Sequence, residues 1–140
     1  MKLFLDTNIL IDLVGNRAPF ASWAYKIFQK QKTEHWKLYT SSNSVLTTYY
    51  ILERELGQKK SKQAIKILLS RLEIIPIEKS DMLKGLITEF KDFEDAVQHE
   101  CALKKNGLDY IITRNKKDFK KSVLPVLSSE ELFIRHEEGD

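Results

Sequence analysis

One cysteine, three prolines and five glycines among 140 residues remove several possibilities at once. Cys101 has no second cysteine to pair with, so no internal disulfide staples the chain. Its place on a helical apolar pattern marks a small buried thiol rather than a nucleophile. Prolines and glycines this sparse leave no linker to divide the chain, and the glycines nowhere cluster into a phosphate-cradling loop. No apolar run nears the roughly 18 residues that span a bilayer, and the segment after Met1 meets Asp6 too early for a secretory leader. A cytoplasmic protein without membrane association is the expectation. Histidine is scarce too: His35 and His136 lie in polar stretches, and His99, four residues past Asp95, is expected to be partly exposed, which argues against a zinc site. Nor is there much net charge. At +3 it permits nucleic-acid binding without arguing for it, so the placement of charge decides.

What is there is 42% hydrophobic and 31% charged, the balance of a globular chain forming one domain over residues 1–140. The run Lys2-Leu3-Phe4-Leu5 suits a buried parallel strand that ends in Asp6. Thr7 and Asn8 then offer capping oxygens, and Ile9, Leu10, Leu13 and Val14 recur at helical spacing. A carboxylate between strand and helix is where open α/β sheets bind ligands, although an Asp that only caps the helix fits the local pattern equally well. Pro19 and Phe20 open a second helix with Trp23 and Ile27 on its apolar face, fading into polar Gln29 to Glu34. Lys37 to Thr40 reads as a strand. Ser41, Ser42 and Asn43 are cap candidates for a helix stopped at Gly57, and Ser61 is expected to cap another. Glu73 to Ile77, interrupted by Pro76, belongs at a sheet edge.

Ser80 to Phe90 reads as a helix. Asp92 caps the next one, with Asp95 three residues on and Phe93, Ala96, Val97, Cys101 and Ala102 as its buried stripe. Asp109 to Thr113 is another buried strand, ending in the polar loop Arg114 to Asp118. Leu124 to Leu127 adds a last strand, Ser129 to Phe133 a helical turn, and the tail from His136 to Asp140 is expected to fray. The alternation predicts an α/β domain with a short, mainly parallel sheet. Such a sheet brings Asp6, Asp95, Asn115 and Asp118 to one edge. Carboxylates within about 6 Å of one another repel unless a cation neutralises them, and a hard divalent ion is the natural partner.

Leu5-Asp6-Thr7-Asn8-Ile9-Leu10, Asp92-Phe93-Glu94-Asp95-Ala96 and Tyr110-Ile111-Ile112-Thr113-Arg114-Asn115-Lys116-Lys117-Asp118-Phe119, in that order, strongly resemble the PIN-domain family. The resemblance spans nearly the whole chain and is nearest to short single-domain bacterial members, many of them RNA-cleaving toxins of toxin–antitoxin pairs. It implies a three-layer α/β/α fold with a short, mainly parallel central sheet, and a Mg²⁺- or Mn²⁺-dependent endoribonuclease. It implies Asp6, Asp95 and Asp118 as metal ligands, with Asp92 as a further catalytic acid. Thr7, Asn8, Thr47, Thr113 and Asn115 would support them. RNA is the implied partner, alongside an antitoxin protein and a second copy in a homodimer. Arg17, Arg114, Lys116, Lys117 and Lys120 are the candidate RNA contacts, although a basic loop of this kind is as often merely solvated.

One position departs from the pattern. Where the family usually carries an acid early in the third helix, this chain has Thr47, and Glu53 is rotated from it by about 240°. That leaves a non-catalytic RNA-binding or regulatory domain as the second reading. A phosphoryl-transfer enzyme with Asp6 as nucleophile is disfavoured, because the second Asp of that pattern is here Asn8.

Overall fold

A computed structural model describes the backbone of residues 1–139, with side chains through Glu137. Its centre is β1, Lys2–Leu5, whose Leu3 and Leu5 enter one core while Phe4 enters another. All three are buried, so this strand needs a helical layer on each side. Its neighbours are β2 (Lys37–Ser41) and β4 (Tyr110–Ile112), flanked in turn by β3 (Glu73–Ile75) and β5 (Val126–Leu127). The five strands are parallel in the order β3-β2-β1-β4-β5, with Leu3 beside Leu38 and Tyr110, and Leu5 beside Ile112. β3 stops short of Pro76 at the sheet edge, where a missing N–H costs no ladder bond.

The helices complete the three layers. α1 (Thr7–Val14), α2 (Ala21–Glu34), the end of α3 (Ser42–Arg71) and α6 (Ser129–Gly139) supply Ile9, Leu10, Ile27, Leu68 and Phe133 to the core under Leu3 and Leu5. On the other face Ala102 of α5 (Phe93–Leu103) packs with Phe4, Tyr39 and Ile111. α4 (Lys79–Gly85) lies against α5, and a Cβ on Gly85 would stand 2.9 Å from Val97 Cγ2, so glycine permits this approach. No helix among the described residues is long and apolar enough to cross a membrane.

Several local expectations change. Gly57, at φ +80°, does not end α3 but kinks it, leaving helix on both sides. Ser61 caps nothing: it is buried within that helix and its hydroxyl has no hydrogen-bond partner. The helix expected from Ser80 ends at Gly85, and Phe93 is 46% exposed rather than part of the α5 stripe. His99 is buried, its ring held against Phe90 and its Nε2 accepting from Val123 N. The tail does not fray from His136, because α6 continues and His136 meets Glu34 and the edge of Trp36; Asp140 lies outside the described residues.

The loop after β4 is tied back to α1 by charge. Arg114 donates to both oxygens of Asp12, at 2.6 and 3.1 Å, and lies 4.3 Å from the centre of the Phe20 ring. Asp12 is buried on α1, and this guanidinium compensates its charge, with a smaller contribution from the charge of Arg17. Arg114→Met is expected to cost about 3 kcal/mol, the low end for a broken buried pair because the guanidinium side is 30% exposed. Urea melts of the two proteins measure it, and an unchanged midpoint would show that the pair holds nothing.

Candidate active site

Asp6 occupies the exit of β1 and is the N-cap of α1, so the capping and ligand-site readings describe one residue. Four donors surround its carboxylate: Thr7 N at 2.9 Å and Gln98 Nε2 at 3.3 Å on Oδ1, Thr113 Oγ1 at 2.8 Å and Asn8 Nδ2 at 3.5 Å on Oδ2. The residue is 7% exposed, and burial pushes its pKa above the ordinary value against the pull of those hydrogen bonds. Thr113, at the end of β4, also accepts from Asn8 Nδ2 and Asn115 N, while Asn8 Oδ1 accepts from Arg114 N. Thr7, Asn8 and Thr113 thus bond Asp6 directly, and Asn115 joins them through Thr113.

The second acid arrives on α5. Asp92 caps this helix through Oδ1 to Asp95 N at 3.0 Å, which turns Asp95 toward the mouth beside Asp6. Asp95 is half-buried, and its pKa is pushed up to about 7, first by burial and then by the charges of Asp6, Asp92, Asp118 and Glu94. Asp6, Thr7, Asn8, Asn43, Thr47, Glu94, Asp95, Gln98 and Asn115 line one cavity of about 210 Å³. Thr47 lines this cavity with the acids, while Glu53 is exposed elsewhere on α3.

Asp118 does not complete a tight triad. It sits on the exposed 3₁₀ turn Lys116–Phe119, and among the described residues no three of His, Cys, Asp and Glu gather closely enough to enclose an ion. It acts on Asp6 and Asp95 through its charge, and lines an adjoining cavity of about 290 Å³ with Asp92, Asp95, Lys91, Lys117, Lys120 and Lys121. A divalent ion with few carboxylate ligands and several waters fits this donor set. The charge of Asp6 raises the cost of ionising Asp95, which a cation reverses, and Thr47 and Asn115 offer further oxygens on the cavity wall.

The basic candidates separate into two groups. Arg17 pairs with Glu55, Arg114 with Asp12 and Lys116 with Glu131, so these cations already have partners. Lys117 and Lys120 form no ion pair among the described residues and stand beside the acids. Reading the sequence missed Gln98, Ser44 and Asp12. Gln98 had a usable signal, a polar residue three positions after Asp95 and hence on the same helix face. Asp12 had another, an acid inside the apolar run of α1.

This geometry has relatives. The chain is 32% identical over 139 residues to Ribonuclease VapC1 of Aquifex aeolicus (strain VF5), covering 96% of this chain and 94% of that protein. Among solved structures, a toxin–antitoxin complex from Klebsiella pneumoniae superposes with a TM-score of 0.65 at 27% identity, over 91% of this chain and 97% of that one. VapBC2 from Rickettsia felis, solved on a DNA fragment from its promoter, matches with a TM-score of 0.71 at 21% identity, over 91% and 98%, and speaks for the fold. Residues 2–117 match the PIN domain, so the sheet that carries Asp6 and Thr113 and the helix that carries Asp95 are those of this family, to which the chain belongs.

Proposed function

We infer that the chain is a metal-dependent endoribonuclease that hydrolyses RNA phosphodiester bonds as the toxin of a toxin–antitoxin pair. The observation that carries the reading is Asp95, a carboxylate pushed up to about 7 beside buried Asp6 in an open cavity. Two acids in that state form a site that gains most from a cation. When bound, Mg²⁺ or Mn²⁺ supplies the charge that polarises a phosphodiester and acidifies a water. Asp6, gripped by Thr113, Thr7 and Gln98, presents a fixed carboxylate, and Asp95 provides a second one across the cavity. Lys117 and Lys120 line the neighbouring wall, which supports assigning them to the RNA backbone. Likeness to a named ribonuclease and to a toxin–antitoxin complex supports the substrate class and a protein partner. The groove lined by Leu46, Ile77, Met82, Phe93 and Val97, beside Asn43 and Glu94, supports a covered apolar face for an antitoxin or a second copy.

Thr47 keeps the second reading in view, a domain on this fold that binds RNA without cutting it. Incubating RNA with the protein plus Mn²⁺, Mg²⁺ or chelator separates the two. Cleavage that chelator abolishes is expected, and its absence on both structured and unstructured RNA would favour the binding domain.

Asp95→Asn gives a sharper check. A carboxyl whose folded pKa lies above its unfolded value binds more protons when folded, so apo stability falls as pH rises from near 4 through about 7. Apo wild type should therefore melt lower at about pH 8 than at about pH 5, and Asp95→Asn should flatten that slope while being no less stable at the higher pH. Mn²⁺ should raise the wild-type melting point by mass action, barely move the mutant, and restore no cleavage to it. Equal shifts by Mn²⁺ in both proteins would make Asp95 a helix residue only.

Restoring the acid with Thr47→Asp should tighten Mn²⁺ binding in calorimetry, because position 47 lies on the cavity wall. Unchanged affinity would remove Thr47 from the ligand set. Neutralising Lys117 and Lys120 should weaken RNA binding evenly across sequences and flatten its dependence on salt by about one unit of slope per lost phosphate contact. Neutralising Lys116, held by Glu131 at 2.8 Å, should do less. An unaltered slope in the Lys117 and Lys120 variants would mark a solvated loop.

A further inference from the structure

Of the donors on Asp6, one comes from the helix that carries the other acid. Gln98 follows Asp95 by one turn of α5 and is 4% exposed. Its Nε2 donates to Asp6 Oδ1 at 3.3 Å and to Ser44 Oγ at 2.5 Å, and its Oε1 accepts from Ser41 Oγ. A carboxylate can only accept, so the NH₂ end of the amide must face Asp6. Ser41 Oγ accepts from Ser44 N at 3.0 Å as the cap of α3, and its single proton faces two acceptors, Gln98 Oε1 and, at 3.2 Å, Ser44 Oγ, of which Gln98 Oε1 is the nearer. Ser44 Oγ lies 2.8 Å from Thr7 Oγ1, so the starts of α1 and α3 both brace the amide. Every polar atom of the Gln98 side chain thus has a partner, and its orientation follows from theirs.

We propose that Gln98 is a positioning residue that sets the placement of the Asp6 carboxylate relative to Asp95. Thr7 and Thr113 grip Asp6 from the β1 and β4 ends of the sheet and carry no information about α5. Among the described residues Gln98 supplies the one hydrogen bond from α5 to Asp6. Asp95 moves with α5, so this contact joins the two acids, and the serines at the start of α3 hold the joining amide. Glutamine suits the task because it is directional and neutral: an acid at this position would bring a further negative charge against Asp6. The functional consequence rests on the nuclease reading; the placement itself does not.

The test uses the full chain with Gln98→Met, an unbranched side chain of similar length with no donor, and Ser44→Ala, which removes the brace without touching Asp6. In metal-free wild type the Gln98 side-chain amide protons should resist solvent exchange in NMR spectra, and Asp6→Asn should shift them. Gln98→Met should lose about tenfold in Mn²⁺ affinity by calorimetry, the worth of a hydrogen bond to a charged group. Its kcat on RNA should fall with KM little changed, because the lysines are untouched. Ser44→Ala should lose less and add nothing in the Gln98→Met background, since both act through one contact. A folded Gln98→Met protein with wild-type Mn²⁺ affinity, additive losses, or freely exchanging amide protons would each overturn the proposal. If Gln98→Met does not fold, Ser44→Ala decides, and wild-type affinity there overturns it. A wild type that binds no Mn²⁺ overturns it as well. Weakened Mn²⁺ binding in a chain that cuts no RNA would sink the nuclease reading and leave the positioning role standing.

Discussion

Burying one carboxylate imposes most of the order at the carboxyl end of this sheet. An ionised acid taken from water into a protein interior costs several kcal/mol unless donors replace its hydration. Asp6 finds them on the first turn of α1, at the end of β4 and on α5. Each donor is itself held by another group. Thr113 accepts from Asn8 and Asn115, Asn8 accepts from Arg114, and Gln98 is braced by Ser41 and Ser44. The loops that leave the strands are therefore fixed by polar bonds around one charge, while the apolar cores lie below them, between sheet and helices.

Charge is arranged around that centre by pairing. Arg114, Arg17 and Lys116 each meet an acid within the fold, and the buried Asp12 partner makes Arg114 structural in the first instance. Lys117 and Lys120 are left facing the cavity that also holds Asp92, Asp95 and Asp118. Acids and lysines without an ion pair among the described residues thus stand side by side on one wall. The small net charge conceals this division because it sums the paired and unpaired cations alike.

Periodicity and end signals made the sheet and most helices legible: Leu3, Phe4 and Leu5 suit a covered strand, and Asp92 suits the start of a helix. The two acids were legible for the same reason, since each stands at the end of an element. Less visible were features decided by contacts between distant segments. Gly57 looks like a stop, yet tertiary packing of Leu52 and Leu68 carries the helix across it as a kink. Phe93 looks like core, but the buried face of α5 instead includes Gln98 and His99, polar residues whose partners lie in β1, α3 and the loop at Val123. Likewise a basic residue's partner is invisible in one dimension, and nothing in the sequence sets Asp12 beneath Arg114.

The order of the strands also gives the site a history. β1 leads the chain, but its partner β4 is paired from Tyr110 onward, and Thr113 stands 107 residues beyond the acid it holds. During synthesis Asp6 is therefore made well before the threonine of β4's end that holds it. A contact this distant in sequence closes late and only after a long loop has been ordered. The end of the sheet where Asp6 and Thr113 meet therefore cannot be assembled until β4 has been made, whatever local structure forms before it.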